Sequence, residues 1–271
     1  STLVVDGVIG DGGNEYGPAI RCYNTLDTFV IFNAENTYSG QTRVVVGRLK
    51  LGGHNRINRN SVLRMGGGNS AANLSVMDLA GFNQQFAGIR EDANSPRMIT
   101  NSTASLSLLV VSNETDYSYG ATVANGTGFI AGDIALVKAG SAMQTLNGTN
   151  TYTGYTVISN GTLRLLSTAS LGSGTSVTVE AAGQLTIATS GSAISDSAVL
   201  QLNSGAGYGR LYVTNGVNES VNYLYFDGLQ QFSGTWGGAG SGATYIDTNR
   251  FLGSGILTVL SGDVLPTITN A

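Results

Sequence analysis

The stretch Asn36-Thr37-Tyr38-Ser39-Gly40 returns almost unchanged as Asn150-Thr151-Tyr152-Thr153-Gly154, and this recurrence decides the fold of the chain. The offset between the two copies is 150 − 36 = 114 residues, and it continues without a gap into the flanks, where Gly47 falls on Gly161. Internal self-similarity of this kind is typical of stacked repeats, in which each unit buries its apolar face against its neighbour. We therefore predict a repeat architecture whose function lies on a surface.

Each copy of the motif leads into a strand pattern. Residues 42–51 and 157–165 alternate apolar and polar side chains on either side of a glycine, which lets the backbone bend. From residue 176 onward, further strands arrive about every ten residues, and no stretch has a helical pattern long enough for a crossover helix. These features leave a sandwich, a barrel or a solenoid, and the long repeat favours the solenoid.

The composition agrees with many short strands joined by tight turns. Of the 271 residues, 39 are Gly, 3 are Pro and 11% are charged. A net charge of −4 offers no basic surface for nucleic acid, and no apolar run approaches the ~20 residues that span a membrane. Cys22 and His54 are the only residues of their types, so we predict no disulfide, no cofactor and no metal site that needs two histidines.

The sequence also predicts three regions. Residues 1–220 are the β-solenoid, with the two long repeats at about 1–110 and 115–220. Residues 221–262 have no counterpart in the first copy and are predicted to form a C-terminal end module, because the last coil of a solenoid must cover the core. Its aromatic residues Phe232, Trp236 and Phe251 suit that role. Residues 263–271 are predicted to be a tail.

The motif pair and its flanks, residues 44–51 and 157–165, resemble the autotransporter-associated β-strand repeat of bacterial passenger domains. Residues 79–84 resemble the segment that often follows this repeat, and residues 223–259 resemble the C-terminal module of large secreted proteins that carry it. The resemblance implies an all-β fold, a right-handed parallel β-helix (β-solenoid) of irregular repeats with an atypical C-terminal coil. It also implies export, with the protein extracellular or displayed at the cell surface.

The two ends of the solenoid are the feature from which we predict function. Terminal coils carry unpaired backbone N–H and C=O groups, which are a template for another strand. The sequence therefore predicts an extracellular structural protein without enzymatic activity, the subunit of a filament that self-associates head to tail with further copies of itself. The apolar side chains expected at this contact are Leu3, Val5, Val8, Ile9, Leu257, Val259, Val264, Leu265 and Ile268.

Two other functions are compatible with the sequence. A monomeric adhesin or carbohydrate-binding passenger would bind glycans through exposed aromatic residues. Tyr38, Tyr152 and Tyr155 are the candidates, although tyrosines in turns more often pack at the corners of the coils. A polysaccharide-degrading enzyme would need two carboxylates in a groove. The candidate pairs are Glu91 with Asp92, Glu114 with Asp116, and Asp227 with Asp247.

Overall fold

The structure is a computed structural model that describes residues 2–11, 20–23, 28–67, 74–92, 96–120, 128–174, 176–189 and 192–263. Within these ranges every regular element is a β-strand, and strands from successive coils lie side by side and parallel. Val137 pairs with Val157, and Val157 pairs with Thr178, so these coils take 157 − 137 = 20 and 178 − 157 = 21 residues. The predicted all-β parallel β-solenoid is confirmed.

The strands form three stacks, and long strands pass from one stack into the next. The first stack contains β1 (Thr2–Val5), β3 (Phe29–Phe32), the second half of β4 (Thr42–Leu51), β6 (Ser75–Asp78), β9 (Arg97–Thr100), β12 (Gly128–Gly132) and β15 (Thr151–Tyr152). The second stack contains β7 (Gln84–Phe86), β10 (Ser107–Ser112), β13 (Ile134–Ala139), the first halves of β16 (Thr156–Ser167) and β17 (Ser176–Thr189), β18 (Val199–Leu202) and β21 (Tyr223–Phe226).

The third stack has two parts. Its first part contains β2 (Ile20–Tyr23), the first half of β4, β5 (Leu63–Met65) and β8 (Ile89–Glu91). Its second part contains β11 (Tyr117–Tyr119), β14 (Met143–Leu146), the second halves of β16 and β17, β19 (Arg210–Val213) and β25 (Phe251–Leu252). The side-chain amide of Gln144 joins the two parts, because it bonds both the N–H and the C=O of Ile89.

The repeated glycine is where the chain turns from one stack to the next. β4 bends at Gly47, which has a φ of 91°, and β16 bends beside Gly161, which has a φ of 66°. Residues with a Cβ are strained at such angles. A Cβ at Gly161 would also lie 2.5 Å from the carbonyl oxygen of Gly140 in the preceding coil. The predicted bend at this position of both copies is confirmed.

Alternate side chains of the strands point into one continuous apolar core. In β10 the burial alternates residue by residue, and in β17 it alternates on either side of residues 180–182. Inward residues such as Leu109, Ile158, Leu185 and Leu200 are fully buried. Burying apolar surface is worth roughly 25 cal/mol per Å². This column of side chains is therefore the main source of stability along the solenoid.

The chain covers its own C-terminal end with a cap formed by residues 227–250. The cap contains β22 (Leu229–Gln230), β23 (Gly234–Gly237) and β24 (Tyr245–Ile246), and it adjoins β20 (Asn218–Val221) and β26 (Ile256–Val259). β22 pairs antiparallel with β21, and β23 pairs antiparallel with β26, whose other edge pairs with β20. This segment therefore pairs with β21 and β26 and covers an edge of each strand.

An aromatic cluster holds the cap on the core. Trp236 is 7% exposed, and its ring stacks on Tyr245 at a centroid distance of 4.6 Å and on Phe251 at 6.2 Å. Its indole N–H donates to the carbonyl oxygen of Phe232 at 2.9 Å. The structure therefore places all three aromatic residues that were expected to cover the core in or beside the cap.

We predict that Trp236→Ala loosens the cap, because it removes a buried ring together with its stacking partners. Truncation of a buried aromatic residue costs about 3–5 kcal/mol, and hydrogen exchange in β26 should become faster. Urea unfolding and amide exchange measure the two effects. Leu229→Ala is the control, because Leu229 lies in the same cap but is 71% exposed. Unchanged protection of β26 in Trp236→Ala would show that the cap does not depend on this ring.

Candidate functional surfaces

The repeated motif forms a structural corner that joins three coils. In the first copy the side-chain oxygen of Asn36 accepts from the N–H of Ile9, and its amide nitrogen donates to the carbonyl oxygen of Arg56. In the second copy Asn150 accepts from Ile130, and its amide donates to a carbonyl oxygen one coil onward. Both asparagines are buried. The motif therefore satisfies backbone groups where the chain leaves a strand.

The tyrosine of the motif is buried on the inner side of this corner. The hydroxyls of Tyr38 and Tyr152 lie 2.5 and 2.6 Å from the hydroxyls of Thr42 and Thr156, and both rings are 0% exposed. A glycan cannot reach either ring, so the expectation that these two tyrosines contact carbohydrate does not fit their position. Tyr155 is different, because its side chain is 42% exposed.

The candidate acids at residues 91 and 92 hold arginines inside the wall of the solenoid. Glu91 lies 2.5 Å from the guanidinium of Arg97, which is 1% exposed. Asp92 bonds Arg43 at 2.6 Å and Arg64 at 2.5 Å. A buried cation needs such a partner, since leaving it unpaired is strongly destabilising. These carboxylates are thus engaged with cations of other strands.

The pair at residues 114 and 116 bonds the next coil. Glu114 accepts from the N–H and the hydroxyl of Ser141, and these bonds lower the pKa of its carboxyl group. Asp116 accepts from the N–H of Met143 at 2.8 Å. Both acids therefore stabilise the segment that leads into β14 by accepting hydrogen bonds from it.

The third candidate pair shares one arginine. Arg250 contacts Asp227 at 2.8 Å and Asp247 at 3.2 Å, and its guanidinium lies 4.4 Å from the centroid of the Phe226 ring. Hydrogen bonds from the backbone N–H and the hydroxyl of Ser204 lower the pKa of Asp227. The arrangement anchors the cap through ion pairs and a cation–π contact.

Lys138 is a buried cation in the second stack. Its partners on the neighbouring strands, Val111 and Ile158, are apolar. Its side chain is 0% exposed, and its ammonium group donates to the carbonyl oxygens of Ala139, Gly140 and Asn160. Burial lowers the pKa of Lys138 to about 8, and the negative charge of Glu114 opposes the shift. The ammonium group thus satisfies carbonyl groups at the bend between two stacks.

The residues expected at a contact between copies fall into three groups. Leu3 and Val8 are 60% and 64% exposed, whereas Val5 and Ile9 pack against the core. Leu257 and Val259 are 0% and 2% exposed inside the C-terminal end, so their expected role at such a contact does not fit their position. Residues Val264, Leu265 and Ile268 lie outside the described residues.

Besides a small groove of about 100 Å³ in which Glu35 is the one acid, two larger shallow grooves are present on the described surface. One, of about 350 Å³, lies beside Asn150 and is lined mostly by hydroxyl side chains and by Leu171 and Ile194. The other, of about 320 Å³, lies beside Gly183, with Tyr208 and Arg210 in its wall. The described linings of these two grooves contain no carboxylate and no histidine. Neither groove thus presents a carboxylate pair.

Two other side chains that could be reactive, His54 and Cys22, lie in the described part of the chain. His54 is exposed, and its Nδ1 accepts from the N–H of Asn83. Cys22 is buried, and burial raises the pKa of its thiol to about 12.

No group of three or more His, Cys, Asp or Glu residues that could hold a metal was found among the described residues. Likewise, none of the described segments forms an apolar helix of membrane-spanning length.

The stacked parallel coils and their repeated corners define the class of the protein as a β-solenoid repeat protein. Residues 136–165, which contain the second copy of the motif, match a family described as the passenger-associated-transport-repeat. No curated protein and no solved structure was found to match the chain. The match covers one repeat of the solenoid, and within it the chain is similar to the repeats of transported passenger domains.

Sequence reasoning missed that Tyr155 shares an outer surface with Tyr223 and Tyr225. The period-two pattern of residues 223–226 could have placed both tyrosines on one side of a strand. It could not show which strand lies next in space, because that depends on the unequal lengths of the coils.

We predict that Asn150→Ala destabilises the solenoid, since it leaves the N–H of Ile130 without its partner and removes one of the two hydrogen bonds to the carbonyl oxygen of Ser170. Each buried unsatisfied polar group costs about 1–3 kcal/mol. Urea unfolding measures the loss. Asn249→Ala, at an exposed asparagine, should change the free energy of unfolding by less than about 0.5 kcal/mol. Equal effects of the two substitutions would contradict the structural role of the motif.

Lys138 should make stability depend on pH. Its pKa is lowered from 10.5 to about 8 in the folded chain, so between these values the unfolded chain binds more protons than the folded chain. The free energy of unfolding therefore rises with pH in this window. We expect the wild type to gain stability relative to Lys138→Met between pH 8 and pH 10, measured by urea unfolding.

Lys50→Met is the control for this comparison, because it removes a lysine that is only partly buried. Parallel pH profiles of the wild type and Lys138→Met would show that the buried ammonium group is not the source of the dependence.

Proposed function

We propose that the chain is an extracellular structural passenger that assembles head to tail into filaments, with the N-terminal end of one copy contacting the C-terminal cap of the next. The observation that supports this proposal is the distribution of exposed apolar side chains. Eight large hydrophobic side chains are exposed among the described residues, and six of them lie near the two ends of the described chain. The six are Leu3, Val4 and Val8 at one end and Leu229, Ile246 and Leu260 at the other.

β1 provides an edge for pairing at the N-terminal end. One edge of Thr2–Val5 pairs with β3, and no described strand pairs with the other edge. Leu3 and Val4 on this strand are 60% and 44% exposed. An edge strand with apolar side chains is a template for strand addition, in which main-chain hydrogen bonds supply affinity.

The cap provides a different surface at the C-terminal end. β22 and β24 are the outermost described strands of their sheets, and they carry Leu229 and Ile246, which are 71% and 52% exposed. A contact between two unlike surfaces is heterologous. Such contacts repeat into a filament unless their rotation closes a ring.

A structural role without catalysis is also part of this proposal. The candidate carboxylates are engaged by arginines or by backbone N–H groups of other strands. A glycosidase needs two carboxylates that face a substrate across a groove. The described linings of the two larger grooves contain none, and that of the small groove contains only Glu35. Engagement of the acids in the wall of the solenoid therefore supports a structural passenger.

Complementary charge variants test the head-to-tail contact. Leu3→Glu with Val8→Glu disables the N-terminal end, and Leu229→Glu with Ile246→Glu disables the cap. Each double variant should remain monomeric by analytical ultracentrifugation, because a desolvated charge opposes the contact. An equimolar mixture should form dimers, since each variant retains one functional end.

Leu106→Glu is the matched control, because Leu106 is 51% exposed but lies between the two ends. It should form the same filaments as the wild type in electron micrographs. Filaments from both double variants, or a wild type that stays monomeric at high concentration, would refute head-to-tail assembly.

A further inference from the structure

The outward surface of the second stack carries an uncharged column of side chains that are in register from strand to strand. Its members, one from each strand of the second stack from β10 to β21, are Val110, Val137, Val157, Thr178, Gln201 and Tyr225. Each of these six side chains is partly exposed. The column therefore forms a ridge along the side of the solenoid.

A second outward column runs beside the first. Leu108 pairs with Ala135, and Ser176 pairs with Val199, which pairs with Tyr223. Tyr155 lies between these two groups, because its carbonyl oxygen accepts from the N–H of Leu136. Ala135 is fully buried although it points outward. We call the two columns together the neutral face, because neither contains a charged residue.

The neutral face combines rings with hydrogen-bonding groups. Tyr155 is 42% exposed, and the rings of Tyr223 and Tyr225 lie 6.5 Å apart. Between these tyrosines, Ser176, Thr178 and other polar side chains offer hydroxyl and amide groups. Aromatic rings with a polar tip suit ligands that have both apolar and hydroxylated surfaces. The pyranose ring of a sugar is such a ligand, since its C–H face stacks on a ring while its hydroxyl groups form hydrogen bonds.

The geometry of the sheet favours a polymer over a single sugar. Neighbouring strands are about 4.8 Å apart, so equivalent positions recur along the face at a spacing close to the length of one sugar unit. The edge of the face carries carboxylates, because Glu180 bonds Asn203 at 2.9 Å and Asp227 follows β21. Their negative charge disfavours an anionic polymer.

We propose that the neutral face binds an uncharged polysaccharide, whose chain lies along the solenoid axis. Tyr155, Tyr223 and Tyr225 stack on sugar rings, and the polar side chains between them bond the hydroxyl groups. The face runs along the side of the solenoid from β10 to β21, and its last ring, Tyr225, adjoins the cap because its hydroxyl donates to Gln230 at 2.9 Å. Binding around Tyr155, away from the cap, does not depend on head-to-tail assembly.

The experiment is a co-sedimentation assay of the full chain with insoluble cellulose, chitin and α-glucan, and with pectin as an anionic polymer. Val137→Glu places a charge at the centre of the neutral face, and Tyr155→Ala with Tyr225→Ala removes two rings. Both variants should bind at least one neutral polymer about tenfold more weakly than the wild type, a loss of roughly 1.4 kcal/mol. Binding of the wild type to pectin should be weaker than to that neutral polymer.

Thr186→Glu is the matched control, because Thr186 points outward from the third stack and is partly exposed. It should bind as the wild type does, and circular dichroism with urea unfolding checks that every variant is folded. The proposal is overturned if the wild type binds none of the three neutral polymers, or if Val137→Glu binds as tightly as Thr186→Glu. Side-by-side association of the wild type without polymer that is lost in Val137→Glu would also overturn it and assign the face to a second copy of the chain.

Discussion

In-register backbone pairing between successive coils holds the solenoid together. A single coil cannot bury its own apolar row, so each strand needs a neighbour both for its hydrogen bonds and for its core contacts. Leu109 therefore lies over Leu136, and Ile158 lies beside Val179. Coils of unequal length satisfy this constraint because the additional residues leave the stacks as loops, while the strands keep their register.

Polar side chains maintain the register where the backbone cannot. At the corners the chain leaves a strand, and its N–H and C=O groups lose their partners from the neighbouring strand. Because these groups are buried away from water, they need other hydrogen-bond partners. Asn36 and Asn150 supply such partners, Gln144 replaces a missing stretch of backbone pairing, and Lys138 satisfies three carbonyl groups. Most of the buried polar chemistry of the described chain thus maintains its architecture, which leaves the ends and the outer surfaces for interactions.

The two ends differ in their physical character. At the C-terminal end the last strands are closed by antiparallel partners and by the ring of Trp236. At the N-terminal end β1 has one unpaired edge within the described residues, and its side chains are exposed. The proposed head-to-tail assembly therefore joins a strand edge to an apolar cap, and the neutral face runs along the side of the solenoid.

The solenoid can be predicted from the sequence, because the 114-residue repeat, the period-two strands and the repeated bend glycine are each visible as local patterns. Which of the matching residues are accessible depends on the packing of the coils. Tyr152 is buried while Tyr155, three residues later, is exposed, and Leu257 is buried because residues 227–250 fold back over it. Such outcomes depend on which coil lies beside which, and coil lengths set by irregular loops leave no periodic signal in the sequence.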